Sequence, residues 1–162
     1  MDLYLIRHAE ALPLGERGVK EDEERPLSGK GEKQAEELGR FFKRRRIVLD
    51  EVLASPLLRA QQTAELMVSH LPQPRPQIQT TDALVPRARP RKLGKFLRSV
   101  QGERLALVGH LPHIAEWAAW LIGDKKAQID FAKAGVAYIT CGEMAAKGLG
   151  TLQWLITPEW FE

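Results

Sequence analysis

Cysteine is nearly absent: Cys141 is the only one in 162 residues. No internal disulfide can form, and the apolar run around that thiol, Val136 to Cys141, reads as a buried strand in a reducing compartment rather than a reactive loop. Long hydrophobic runs are also missing. No stretch approaches the roughly 18 apolar residues that span a bilayer, and Met1-Asp2 leads straight into a strand pattern without a basic n-region or small-residue cleavage site. The expectation is a cytoplasmic protein without a membrane span. There is little excess charge of either sign, with 24 Lys+Arg against 21 Asp+Glu and a formal net charge of +3. That balance suits a small anionic group such as phosphate and falls short of a nucleic-acid footprint. Aromatics make up only 7% of the chain. Trp117 and Trp120 on one predicted helix, and Trp154 and Trp160 beyond it, read as core or edge packing rather than a platform for stacked bases.

What is present suits one ordinary α/β domain over residues 1–162, since 44% of residues are apolar and no repeat or low-complexity tract interrupts them. Leu3 to Ile6 reads as a buried first strand carrying Arg7-His8 at its C-terminal end. A polar loop, Glu16 to Arg25, precedes Arg25-Pro26-Leu27, and Ser28 then caps a helix with Ala35, Leu38, Phe41 and Phe42 on one face. Lys43 to Arg46 supplies positive charge at that helix's C-terminus. The spacing predicts a strand over Val48 to Ala54 and a helix with Pro56 in its first turn, carried by Leu57, Ala60, Ala64, Leu66 and Met67 toward His70. After the Pro-rich Pro72 to Pro76 come a short strand at Gln77 to Thr80, a helix at Lys92 to Val100 and a strand at Leu105 to Val108. Pro112 opens a helix with Ile114, Trp117, Ala118 and Leu121 on one face, and strands at Gly135 to Thr140 and Thr151 to Ile156 close the chain. Alternating strands and helices predict a mostly parallel sheet covered on both faces, with ligands beyond its C-terminal strand ends, where Arg7-His8 and His110 lie.

Three islands carry the chemistry: Leu5-Ile6-Arg7-His8-Ala9-Glu10, Ser55-Pro56-Leu57-Leu58-Arg59-Ala60-Gln61-Gln62-Thr63, and Val108-Gly109-His110-Leu111-Pro112. Each joins a strand end or helix start to a cation or an imidazole. In order and context they resemble the histidine phosphatase superfamily, whose motifs read Arg-His-Gly or Arg-His-Ala, Ser-Pro-x-x-Arg-Ala-x-x-Thr, and Gly-His or Ser-His. The short chain, the Arg25-Pro26-Leu27-Ser28-x-x-Gly31 segment and His110-Leu111-Pro112 resemble its SixA-type phosphohistidine phosphatases. The resemblance implies a three-layer αβα fold of the phosphoglycerate mutase-like kind without a large lid.

It also implies site roles. His8 would be the nucleophile, because a neutral imidazole can accept a phosphoryl group on nitrogen and release it to water. Like-charge repulsion from Arg7 and Arg59 would keep it neutral. Those guanidiniums would bind the phosphoryl oxygens, since an Arg fork matches them and phosphoryl transfer is catalysed mostly by positioning and charge stabilisation. His110 would be a second imidazole donating to a transferring oxygen, and Arg25 a further phosphate or substrate contact. No cofactor or metal is implied. The expected partner is a histidine-phosphorylated phosphorelay or phosphotransfer carrier, with no role for nucleic acid or membrane. Larger relatives supply an acidic proton donor between the second and third motifs. Here only Asp82 offers itself, and weakly, which agrees with a labile P–N bond whose leaving imidazole is easily protonated. The alternatives are a small-molecule or sugar-phosphate phosphatase of the same superfamily and a non-catalytic phosphate-binding module.

Plainer readings stand beside these. His110, His113 and Glu116 recur every third residue, but the pattern is not His-Glu-x-x-His and Pro112 separates His110 from the helix, so a metal site is not expected. His70 and His113 read as surface or rim residues. Arg87, Arg89, Arg91 and Lys92 read first as a solvated loop, and second as a docking rim for an acidic phosphoprotein.

Overall fold

The structure is a computed structural model that describes residues 1–124 and 126–161. Six strands form one sheet: β1 (Asp2–Arg7), β2 (Glu51–Ala54), β3 (Gln77–Thr80), β4 (Arg104–Gly109), β5 (Val136–Cys141) and β6 (Gly150–Ile156). Their order is β3-β2-β4-β1-β5-β6. The first four run parallel, with Leu5 opposite Leu107 and Ile6 opposite Val108, whereas β5 runs antiparallel to β1 and β6 to β5.

The pleat sorts the core. On one face Leu3, Leu5, Leu105 and Leu107 pack with Leu93 and Leu97 of α3 (Pro90–Leu97) and with Ile114, Trp117 and Leu121 of α4 (His113–Leu121). On the other, Tyr4, Ile6, Ala106 and Val108 meet Leu38, Phe41 and Phe42 of α1 (Gly29–Arg44) and Ala60, Ala64 and Met67 of α2 (Leu58–Ser69). The period-2 alternation of β1 and β4 thus feeds two helical layers, giving the expected αβα sandwich.

Local signals explain most element ends. Ser28 caps α1 by accepting from Gly31 N–H at 3.1 Å. Its C-terminus closes through Arg46 in the left-handed region (φ 55°), with Ile47 N–H reaching the carbonyl of Phe42 at 2.9 Å. This turn corrects the predicted strand over Val48 to Ala54. Val48 is exposed and β2 starts only at Glu51, where pairing with Leu105 begins. Asp50 just before it accepts from Glu103 N–H (3.0 Å) and Arg104 N–H (2.8 Å), tying this entry to the start of β4. α2 begins at Leu58, so Pro56 precedes its first turn, and α3 runs two residues earlier at its start than the predicted Lys92. Trp117 is in the core as expected, but Trp160 is 72% exposed, because it sits in a terminal turn past the last strand. Cys141 is buried and unpaired. No helix among the described residues is long and apolar enough to cross a membrane.

Candidate active site

Parallel β1 and β4 end side by side, Arg7 opposite Gly109, so the residues that follow, His8 and His110, emerge from adjacent strand ends. Their ring centroids are 5.0 Å apart and tilted by 52°. Both are buried, His8 at 5% and His110 at 2% exposure. The backbone holds His8 from both sides: its N–H donates to the Gly109 carbonyl (2.9 Å) and its carbonyl accepts from Ala134 N–H (3.4 Å).

The His8 ring has one assignment its partners allow. Nδ1 lies 2.7 Å from the carbonyl of Ala9, which can only accept, so Nδ1 carries the proton. Nε2 is then a free lone pair, and Arg59 Nε–H points at it from 3.4 Å. Burial, Lys133, His110 and Arg59 all oppose protonation, bringing the His8 pKa down to about 2 against the weaker pull of the Ala9 carbonyl. The His110 pKa falls to about 3, chiefly through burial and then Arg59. Two neutral imidazoles therefore face each other at neutral pH. The expected cause was repulsion by Arg7 and Arg59. Burial is the larger one, Lys133 acts ahead of Arg59, and Arg7 turns its Nη1 away to donate to the Phe131 carbonyl at 2.6 Å.

Arg59 reaches the pocket from the first turn of α2 and is itself buried. Besides facing His8, it donates through Nη1 to the Asp22 carbonyl (2.7 Å) and through Nη2 to Asp22 Oδ2 (2.9 Å). Thr63, one turn along, donates to the Arg59 carbonyl (2.7 Å) and accepts from Ala9 N–H (3.1 Å), fastening the helix to the chain just after His8. Arg25 donates through Nε to the Leu12 carbonyl (2.6 Å) and through Nη1 to Asp22 Oδ1 (3.0 Å). Arg25 and Arg59 are thus bridged by one carboxylate. Arg7 Nε and both ring nitrogens of His110 are buried without a protein partner, and such groups are ordinarily satisfied by a ligand or by water.

Two residues in this assembly escaped sequence reading. Asp22 was part of an undifferentiated loop, and only the short turn at Asp22–Glu24 brings it over α2. Lys133 lies on the segment that enters β5. Because β5 is antiparallel to β1, this segment returns to the C-terminal edge beside His8. Burial and the charges of Arg7, Arg25 and Arg59 push the Lys133 ammonium down to about 8.

One further expectation is corrected, and the structure places other residues singled out in the sequence. His113 is fully buried on α4, not a rim residue, and burial lowers its pKa. It lies one turn before Trp117 and shares its inward face. Asp82 is exposed in the turn at Asp82–Leu84, where its carbonyl, not its carboxylate, receives Lys92 Nζ at 3.2 Å. Arg87, Arg89 and Arg91 are exposed and without a carboxylate partner among the described residues. Their segment follows Leu84, which packs against Gly109 at the end of β4, and Arg89 and Arg91 border a cavity with Glu116 and Trp120 of α4.

Two buried neutral imidazoles, with arginines and a lysine gathered near the ends of β1 and β4, can hold a tetrahedral anion and present a lone pair to its centre. Known proteins resemble the chain along nearly its whole length. The chain is 32% identical, over 99% of its length and 98% of the other, to an uncharacterized protein of Picosynechococcus sp.. It is 26% identical to the phosphohistidine phosphatase SixA of Escherichia coli K12, over 98% of this chain and 94% of that one. A solved structure of the protein histidine phosphatase SixA complexed with tungstate superposes with a TM-score of 0.86 at 24% identity, covering 100% of both chains. The sequence model of the histidine phosphatase superfamily (branch 1) matches residues 3–88, and the chain belongs to that superfamily.

Proposed function

We propose that the protein dephosphorylates phosphohistidine on a phosphorelay or phosphotransfer protein in the cytoplasm, with His8 Nε2 as the nucleophile. The observation that carries this reading is the His8 ring, whose proton is committed to the Ala9 carbonyl at Nδ1 while its Nε2 faces Arg59 across 3.4 Å. A lone pair so placed can attack phosphorus without first losing a proton. Arg7, Arg25 and Arg59 then hold the phosphoryl oxygens, each charged hydrogen bond contributing about 1.5 to 3 kcal/mol. Neutral His110 donates its one N–H to an oxygen whose charge grows in the transition state. Transfer leaves phosphorus on His8, and water completes the reaction.

The protein-level substrate is supported by the SixA relatives and by the economy of the chain between the second and third motifs. That stretch holds only α2, β3, a short turn and α3, with no inserted domain to enclose a small molecule. The exposed arginines at 87, 89 and 91 would form a rim for an acidic carrier.

The test is incubation with a histidine-phosphorylated carrier domain, following phosphate release and acid-labile phosphate on the protein. Wild-type release should far exceed that of His8→Ala, with label trapped on His8. Equal rates for the two proteins would sink the reading.

A further inference from the structure

Asp22 is the one acidic side chain among the described residues that accepts hydrogen bonds from the arginines of this pocket. Its two carboxylate oxygens are divided between them, Oδ1 to Arg25 Nη1 (3.0 Å) and Oδ2 to Arg59 Nη2 (2.9 Å). Glu10, the nearest acid to His8 in sequence, is instead engaged by Ser28 Oγ (2.9 Å) and Lys30 Nζ (3.5 Å). Asp22 is far more open to solvent than the buried imidazoles, at 43% side-chain exposure, so its carboxylate can exchange protons with water. Arg59 spans the whole arrangement, with Nε toward His8 Nε2 and Nη2 on Asp22.

The two guanidiniums that hold Asp22 are ones a phosphoryl group would need. In the free protein they keep the carboxylate ionised and its pKa below the usual range, despite an opposing contribution from burial. An arriving phosphoryl group competes for both. Once it has them, the carboxylate has lost its cationic partners and faces anionic oxygens, and each change favours its protonated form. The group would thus take up a proton from solvent when, and only when, a phosphoryl group occupies the recess.

We propose that Asp22 is a further catalytic residue, the acid that protonates the leaving atom after a phosphoryl group has displaced it from Arg25 and Arg59. This rests on the reading of His8 as nucleophile. In the first step the His8 Nε2 lone pair forms the N–P bond as the bond from phosphorus to the leaving nitrogen or oxygen breaks. The freed electron pair stays on the leaving atom, which takes the Asp22 proton. In the second step a water oxygen attacks phosphorus and gives its proton to the Asp22 carboxylate. The P–N bond breaks with its pair returning to His8. Asp22 is then protonated again, as it was in the substrate complex, and it gives that proton back to solvent when inorganic phosphate leaves and Arg25 and Arg59 return to it.

The experiment grades the leaving group. Wild type, Asp22→Asn and Asp22→Ala are compared by single-turnover transfer to His8 from nitrophenyl phosphate, phenyl phosphate and an alkyl phosphate, with vanadate titrated as a pocket ligand. A nitrophenolate leaves without help. Both variants should therefore stay within about threefold of wild type on the nitrophenyl ester and fall by about 10²-fold or more on the alkyl ester, the usual scale of general acid catalysis. Vanadate should bind the variants at least as tightly as wild type, since a competing carboxylate is gone. The same factor on every ester overturns the proposal: a uniform gain makes Asp22 an occluding group, and a uniform loss makes it a support for the arginines. Loss of vanadate binding in both variants also overturns it. Absence of acid-labile phosphate on wild-type His8 is a different failure, since it removes the phosphoryl-transfer reading and the role of Asp22 with it.

Discussion

Replacing Gly31 with alanine isolates one contact on which the geometry around His8 depends. A Cβ on Gly31 would sit 1.9 Å from the Glu10 carbonyl oxygen, 2.8 Å from its carbon and 3.0 Å from its nitrogen, all backbone atoms. Real Cβ contacts essentially never fall under 3.0 Å, so the first turn of α1 and the Glu10 peptide must part by at least 1.1 Å, the difference between 3.0 and 1.9. Glu10 cannot yield freely. Its N–H donates to Gln34 Oε1 (3.0 Å), its carbonyl accepts from Ser28 N–H (2.9 Å), and it stands two residues from His8. Overpacking of this kind costs about 1–3 kcal/mol, offset by up to about 1 kcal/mol from the better helix propensity of alanine. A net loss of about 1–2 kcal/mol, the middle of the resulting range, corresponds to a Tm lower by about 2–8 °C for a chain of this size. Displacement of His8 by even part of this shift should lower kcat by up to about 10²-fold. Gly29, two positions earlier on the same turn, is the control, because nothing lies within 4 Å of the Cβ it would gain. Thermal melts and nitrophenyl phosphate turnover on Gly31→Ala and Gly29→Ala decide the matter. Two variants alike in Tm and rate would refute this account of the α1 entry.

Acid should unfold the protein unusually early. His8, His110 and His113 all have folded pKa values below the unfolded value near 6.5, so the unfolded chain binds more protons and stability falls as pH drops below about 6.5. Each contributes at most about 1.4 kcal/mol per pH unit. His113→Leu, removing an unpartnered buried imidazole, should flatten the loss seen in melts between about pH 6 and 4. Lys133 at about 8 should make anion binding weaken as pH rises through that value. Lys133→Met should abolish that step in a vanadate titration while lowering affinity below it. Arg89→Glu with Arg91→Glu should reduce kcat/KM on an acidic phosphocarrier by about tenfold at low salt and leave nitrophenyl phosphate turnover unchanged, because rim charges act mainly on encounter.

The layers and the three islands were legible because their signals are local. Alternation in Leu3 to Ile6 and Leu105 to Val108, the Ser28 cap, and charged residues at strand ends each need only a few neighbours to be read. The conformation at Arg46, which delays β2 to Glu51, has no comparable signature, since arginine is not a residue expected at positive φ. Asp22 and Lys133 were invisible for a different reason. One depends on a charged loop folding back over α2, the other on the direction of β5, and neither is written in the residues beside them. His113 was misjudged although the helical period contained the answer. Its place one turn before Trp117 puts it inward, and the polarity of imidazole argued the other way.

The placement of β1 bears on how the chain must be assembled. Both of its neighbours, β4 and β5, come from beyond residue 103, and β4 also separates β1 from β2. A nascent or truncated chain ending before Arg104 would hold the first strand with nothing beside it. Closure over roughly a hundred residues has to precede any central pairing, the kind of long-range contact that slows folding. Ribosome-bound chains should accordingly acquire protease resistance late and in one step, and a fragment of residues 1–100 should regain order only when residues 101–162 are added in trans.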